Sequence, residues 1–92
     1  MSIREDVARV FINKSNAGTN NLIGERLAKK RKDLKLSQRA FADRLQLLGL
    51  DVDKNAIQRI ECGKRFVTDI ELVYICKALE TDPNELLQWK NG

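Results

Sequence analysis

The chain of 92 residues is 42% hydrophobic and 33% charged with a single proline, the profile of one compact helical domain and not of a multidomain enzyme. So short a chain buries about 60 to 65% of its unfolded surface, which leaves no room for a deep substrate cavity and favours binding at the surface. A net charge of +4 points to an anionic partner, and the absence of histidine excludes His-containing metal sites and His general bases.

Residues 1–20 read as an N-terminal arm. Ile3, Val7, Val10 and Phe11 recur at helical spacing, and Ser2 with Glu5 matches a capping box, so a short amphipathic helix is expected there. Alone it is marginal; it either packs on its own domain, frays, or serves as an interaction helix. Residues 13–21, rich in Asn, Ser and Gly, form a turn-prone link to the main domain, residues 21–92.

The main domain reads as five short helices. Asn20 or Asn21 caps the first, which runs to about Leu34 with Ile23 and Leu27 facing inward. Ser37 caps the second; Phe41, Ala42, Leu45 and Leu48 form its inner stripe and Gly49 ends it. Leu50, Asp51 and Val52 connect to a third helix capped by Asp53, with Ile57 and Ile60 buried and Gly63 as a left-handed stop. Thr68 with Glu71 matches a capping box for a fourth, largely apolar helix through Ile70, Val73, Tyr74, Cys76, Ala78 and Leu79. Asp82, Pro83 and Glu85 open a short fifth that carries Leu86, Leu87 and Trp89. No strand is required, so the expected class is all-α.

Charge is concentrated in the middle. Residues 1–20 carry +1, residues 21–65 carry twelve basic against six acidic groups, and residues 66–92 carry −3. No catalytic constellation accompanies it. Asp51 and Asp53 sit at a helix cap, Cys62 has Lys64 and Arg65 nearby but no base, and Gly24, Gly49 and Gly63 are too far apart to cradle a phosphate. Cys62 and Cys76 have no CxxC partner and read as reduced thiols. No apolar run reaches the roughly 18 residues of a membrane span, and residues 1–6 are polar, so a cytoplasmic, non-enzymatic protein without cofactor is expected.

Within the basic region, the third helix carries Lys54, Asn55, Gln58 and Arg59 on one side and Ile57 and Ile60 on the other. Lys and Arg donate to guanine O6 and N7, and Asn and Gln pair bidentately with adenine, so that polar side suits the major groove of DNA. Any helix face turned to solvent is also polar, and the pattern by itself leaves that plainer reading open.

The order of motifs resembles the Xre family of bacterial and phage regulators, whose DNA-binding domain is of the phage-repressor (Cro/CI) type. The matching residues are Ile23 to Leu27 with Arg31, then Leu36, Ser37 and Gln38 with Phe41 and Ala42, then Ala56 to Arg65, Thr68 to Leu72, Ala78 and Leu79, and Glu85 to Leu87. The resemblance covers roughly residues 21–89 and implies a five-helix, lambda-repressor-like domain in which the second and third helices form a helix-turn-helix. It implies base contacts by Lys54, Asn55 and Arg59, with Gln58 a lesser candidate. Phosphate contacts fall to Ser37, Gln38, Arg39, Lys64 and Arg65, Gln38 also bracing a recognition side chain. Arg31 and Glu61 take the positions of a partly buried ion pair between the first helix and the end of the third. Between Ala42 and Glu61 the chain has about five residues more than the family's commonest spacing. An extra turn, Gln46, Leu47 and Leu48, takes about three; a longer connector, expected to alter the angle at which the recognition helix meets DNA, takes the rest.

The function implied is a sequence-specific transcriptional regulator, most simply a repressor, because a domain this size has no room for a separate sensing unit. A recognition helix covers few base pairs, so a homodimer on a palindromic site is expected, joined through Leu86, Leu87 and Trp89 or through Val7, Val10 and Phe11. The alternative is a protein-binding module of the antitoxin or anti-repressor kind that holds a protein partner with the N-terminal arm.

Overall fold

A computed structural model describes residues 18–87. The arm's stripe of Ile3, Val7, Val10 and Phe11, and Trp89 near the other end, lie outside those residues. Among the described residues the chain forms five helices and no strand: α1 (Gly24–Asp33), α2 (Gln38–Leu48), α3 (Lys54–Glu61), α4 (Asp69–Leu79) and α5 (Pro83–Leu87).

Local chemistry sets most helix boundaries. The N-cap of α1 is Ile23, without a side-chain cap bond, and not Asn20 or Asn21 as expected; Asn21 Oδ1 accepts from Gly24 N at 2.8 Å in the turn just before it. Ser37 Oγ accepts from Ala40 N at the start of α2, and Asp53 Oδ1 from Ala56 N at the start of α3. Thr68 and Glu71 close a reciprocal capping box on α4. Gly49 and Gly63 take left-handed φ values of 112° and 78° just past α2 and α3, where a side chain would be strained.

The core gathers one stripe from each helix: Leu27 of α1, Phe41 and Leu45 of α2, Ile57 and Ile60 of α3, Ile75 and Leu79 of α4, and Leu86 of α5, all buried. Two apolar expectations are corrected. Leu48 is half exposed and Leu47 is 89% exposed, because the added turn carries α2 past the edge of the core. Leu86 is wholly buried and so belongs to the core, not to a surface for a second copy.

The connector between α2 and α3 is tied down. Val52 is buried, and Gln46 Nε2, from the added turn, donates to Val52 O at 2.7 Å. The segment before α1 is pinned as well. Asn20 N donates to Gly63 O at 2.7 Å, Asn20 Nδ2 to Lys64 O, and Asn21 Nδ2 to both Ile60 O and Arg65 O. The start of α1 therefore meets the end of α3 at very short range, and a Cβ on Gly24 would stand 2.5 Å from Ile60 O. Gly24→Ala would gain up to about 1 kcal/mol in an exposed helix; here the backbone collision reverses the sign, to a loss of about 1 to 3 kcal/mol by urea denaturation.

Candidate nucleic-acid interface

The interface is built on α3, and what holds α3 is a buried ion pair. Arg31 Nε lies 2.6 Å from Glu61 Oε2 and Arg31 Nη2 lies 3.0 Å from Glu61 Oε1, with both side chains only 8% exposed. The remaining end of the guanidinium, Nη1, donates to Leu36 O in the turn between α1 and α2, and Gln38 Nε2 donates to Glu61 Oε1 at 3.0 Å. One charge pair thus joins α1, the turn that follows it, the start of α2 and the last residue of α3. The planar fork of arginine suits this: two N–H groups meet both carboxylate oxygens and another reaches a carbonyl.

Held in this way, α3 buries Ile57 and Ile60 and turns Lys54, Asn55, Gln58 and Arg59 to solvent. None of these four side chains bonds to another described residue. Their donors are therefore uncommitted, as groups must be if they are to meet base edges without first breaking a protein contact.

The residues expected at phosphates divide into two groups. Ser37, Arg39 and Lys64 are exposed, Ser37 and Arg39 at the leading end of α2 and Lys64 just past α3. Ser37 Oγ takes the Ala40 N–H, and the N–H groups of Gln38 and Arg39 ahead of it lack intrahelical partners, which leaves that end receptive to an anion. Gln38 and Arg65 are instead engaged within the protein. Gln38 braces Glu61 and not a recognition side chain. Arg65 forks onto Glu71, with Nη1 3.1 Å from Oε1 and Nη2 2.9 Å from Oε2, and its Nη1 also donates to Phe66 O. The reason is proximity: the capping box holds Glu71 in the first turn of α4, directly in reach of the loop that leaves α3. Asn20 and Asn21, which fasten the end of α3 to the start of α1, have no counterpart among the expected site residues. The sequence marks them as candidate caps of α1 in a turn-prone stretch and gives no sign of their contacts with the end of α3.

The arrangement is that of a helix-turn-helix DNA-binding domain: two helices joined by an ordered connector, the second displaying polar tips beside a cationic margin. A sequence model described as a helix-turn-helix domain matches residues 22–89. The chain belongs to that family, a domain type built for DNA binding. No curated protein and no solved structure matches it. No helix among the described residues is long and apolar enough to cross a membrane, and no cluster of His, Cys, Asp or Glu among them is arranged to hold a metal ion.

Two outcomes follow from these pairs. Replacing Arg31 alone by Met, or Glu61 alone by Leu, strands a buried charge and lowers stability by about 3 to 5 kcal/mol in urea denaturation; replacing both together costs far less than the sum. The second concerns pH. The Arg65 guanidinium holds the Glu71 carboxyl below its ordinary 4.5, with the Thr68 bonds adding to the effect and partial burial opposing it. Because the folded value is the lower one, the stabilisation is fully present above about pH 4.5 and is lost as pH falls through the folded value. The stability gap between the native chain and Glu71→Gln, read from thermal melts, is accordingly wide at pH 6 and narrows below pH 4.

Proposed function

We propose that this protein is a sequence-specific transcriptional regulator of the Xre type, with a phage-repressor-like (Cro/CI) domain, acting in the cytoplasm as a dimeric repressor on a palindromic operator. The observation that carries this reading is the outward face of α3. Its four polar tips are exposed and unbonded to other described residues, on a helix whose far end is locked by a buried charge pair.

In this reading α3 enters the major groove by its N-terminal half. Arg59 and Lys54 donate to guanine, Asn55 pairs with adenine, and Gln58 supplies a further amide to an adjacent base. Ser37, Arg39 and the leading N–H groups of α2 grip the phosphates on one side of the groove and Lys64 grips those on the other. Gln38 and Arg65 act less directly, since an approaching phosphate competes with Glu61 and Glu71 for their donors. Asp53 already fills the N-terminus of α3, so bases and not phosphates are met there. Two copies on half-sites about 34 Å apart give the selectivity that one recognition helix lacks, and occupancy of such a site blocks a promoter.

The test begins with selection of bound sequences from a random duplex pool, followed by anisotropy titration at several salt concentrations. Selection returns a symmetric motif. With six to ten phosphate contacts, affinity falls by about three to five orders of magnitude between 50 and 200 mM salt. Asn55→Ala and Arg59→Ala each cost about 1 to 3 kcal/mol on the selected site and little on random duplex, whereas Lys64→Ala weakens both alike and flattens the salt dependence. Unchanged discrimination in the Asn55→Ala, Arg59→Ala double variant refutes base reading by α3.

A further inference from the structure

The outward face of α4 takes no part in the DNA reading. Ile75, Cys76, Ala78 and Leu79 point into the core, while Asp69, Ile70, Val73 and Lys77 are exposed, Ile70 by 65% and Val73 by 50%. At 100° per residue these four fall within an arc of about 100°, an apolar centre with an acid at one end and a base at the other. Beside it an open concavity of about 540 Å³ is lined by Val73, Cys76, Lys77, Glu80, Thr81 and Pro83, among others, where α4 gives way to α5.

We propose that this face is where a second copy of the chain docks, α4 against α4 in antiparallel register about a two-fold axis through Val73. That register has a consequence for charge that the arrangement of residues meets. Positions equidistant from Val73 face each other, so Asp69 of each copy meets Lys77 of the other, and both ion pairs of the symmetric dimer are attractive. Val73 of each copy meets its counterpart at the axis, with the exposed Ile70 of each copy beside that contact. Charge pairing and the apolar centre at Val73 thus fit one alignment, and the antiparallel helix dipoles agree with it. Lys77 is steadied for the role: its Nζ sits 5.9 Å from the centroid of the Tyr74 ring.

The inference rests on the dimeric part of the functional proposal and supplies its surface. The patch is small beside the roughly 1,200 to 2,000 Å² of a stable interface, so free protein associates weakly and the operator completes the dimer.

Sedimentation equilibrium of the full chain without DNA, from about 10 μM to about 1 mM, tests it. The native chain shows concentration-dependent dimerisation. Asp69→Lys alone sets Lys against Lys, and Lys77→Asp alone sets Asp against Asp; each raises the dissociation constant at least tenfold. An equimolar mixture of the two variants restores both attractive pairs and returns association to the native level, which misfolded chains cannot do; circular dichroism confirms helix content in each. Three outcomes overturn the proposal: a monomer at every concentration, a dimer indifferent to both substitutions and to Val73→Glu, or a mixture no tighter than its components. The first includes the case in which residues 1–17 cover α4, and the second the case in which they join the copies themselves. Because base reading is scored separately with Asn55→Ala and Arg59→Ala on a half-site duplex, a failed interface and a failed DNA reading give different results.

Discussion

The constraint on which the rest of the domain depends is the buried charge pair of Arg31 and Glu61. Two ions 8% exposed to water are expensive to remove from solvent, and their mutual attraction repays that cost only when the remaining donors and acceptors are also satisfied. Here they are: Leu36 O takes the last reach of the guanidinium, and Gln38 gives Glu61 a further donor. The pair therefore forms only when α1, the α1–α2 turn, α2 and α3 stand in one particular relation. A purely apolar contact in its place would tolerate sliding, since hydrophobic burial has no direction. If α3 presents side chains to base edges, as proposed, sliding is the fault to avoid, and a directional bond at its end opposes it.

Around that pair the domain separates rigidity from reach. Bonds that fix α3 lie at its far end and behind it: Asn21 to Ile60 O and Arg65 O, Asn20 to Gly63 and Lys64, and the close passage of Gly24 beneath Ile60 O. The side chains on its outer face are left unbonded to other described residues. The same division governs charge. Arg65 and Lys30 are paired with Glu71 and Glu85, acids beyond residue 65, so the excess positive charge of the central segment overstates what a polyanion would meet; the pair of Arg31 and Glu61 already cancels within that segment. Arg39, Lys54, Arg59 and Lys64 are exposed on or beside the helix-turn-helix, and in the proposed reading they are among the cations that release counterions.

What the sequence reveals of all this follows the range of each interaction. Caps are local, and Ser37, Asp53, Thr68 with Glu71, Gly49 and Gly63 mark their helix ends in the structure as their positions imply. The all-α class and the inward stripe of α3 follow from periodicity in the same way. Arg31 and Glu61, thirty residues apart, came to attention through family resemblance and through no spacing rule. Contacts fixed only by the assembled fold were not legible. Gln38 faces Glu61, Arg65 faces Glu71, and the asparagines before α1 grip carbonyls about forty residues away. Leu48 illustrates the opposite failure: its spacing matches the inner stripe, but periodicity does not say where a core ends.

The weak self-association proposed for α4 would be a defect in a free-standing dimer, yet on a two-site operator of the proposed kind it suffices. Once one copy sits on a half-site, the neighbouring half-site presents the second copy at an effective concentration on the order of millimolar, so an interface of modest affinity adds cooperativity that it could not supply in solution. Such an arrangement also sharpens selectivity. A tight dimer carries both recognition helices to every random site and gains twice the phosphate attraction there, whereas a weak one gathers its full set of contacts only where two correctly spaced half-sites hold two copies together. Under the two proposals, the small size of the α4 patch and the one-sided polarity of α3 are parts of one solution, in which base edges decide where each copy rests and the helix pairing rewards the spacing between them.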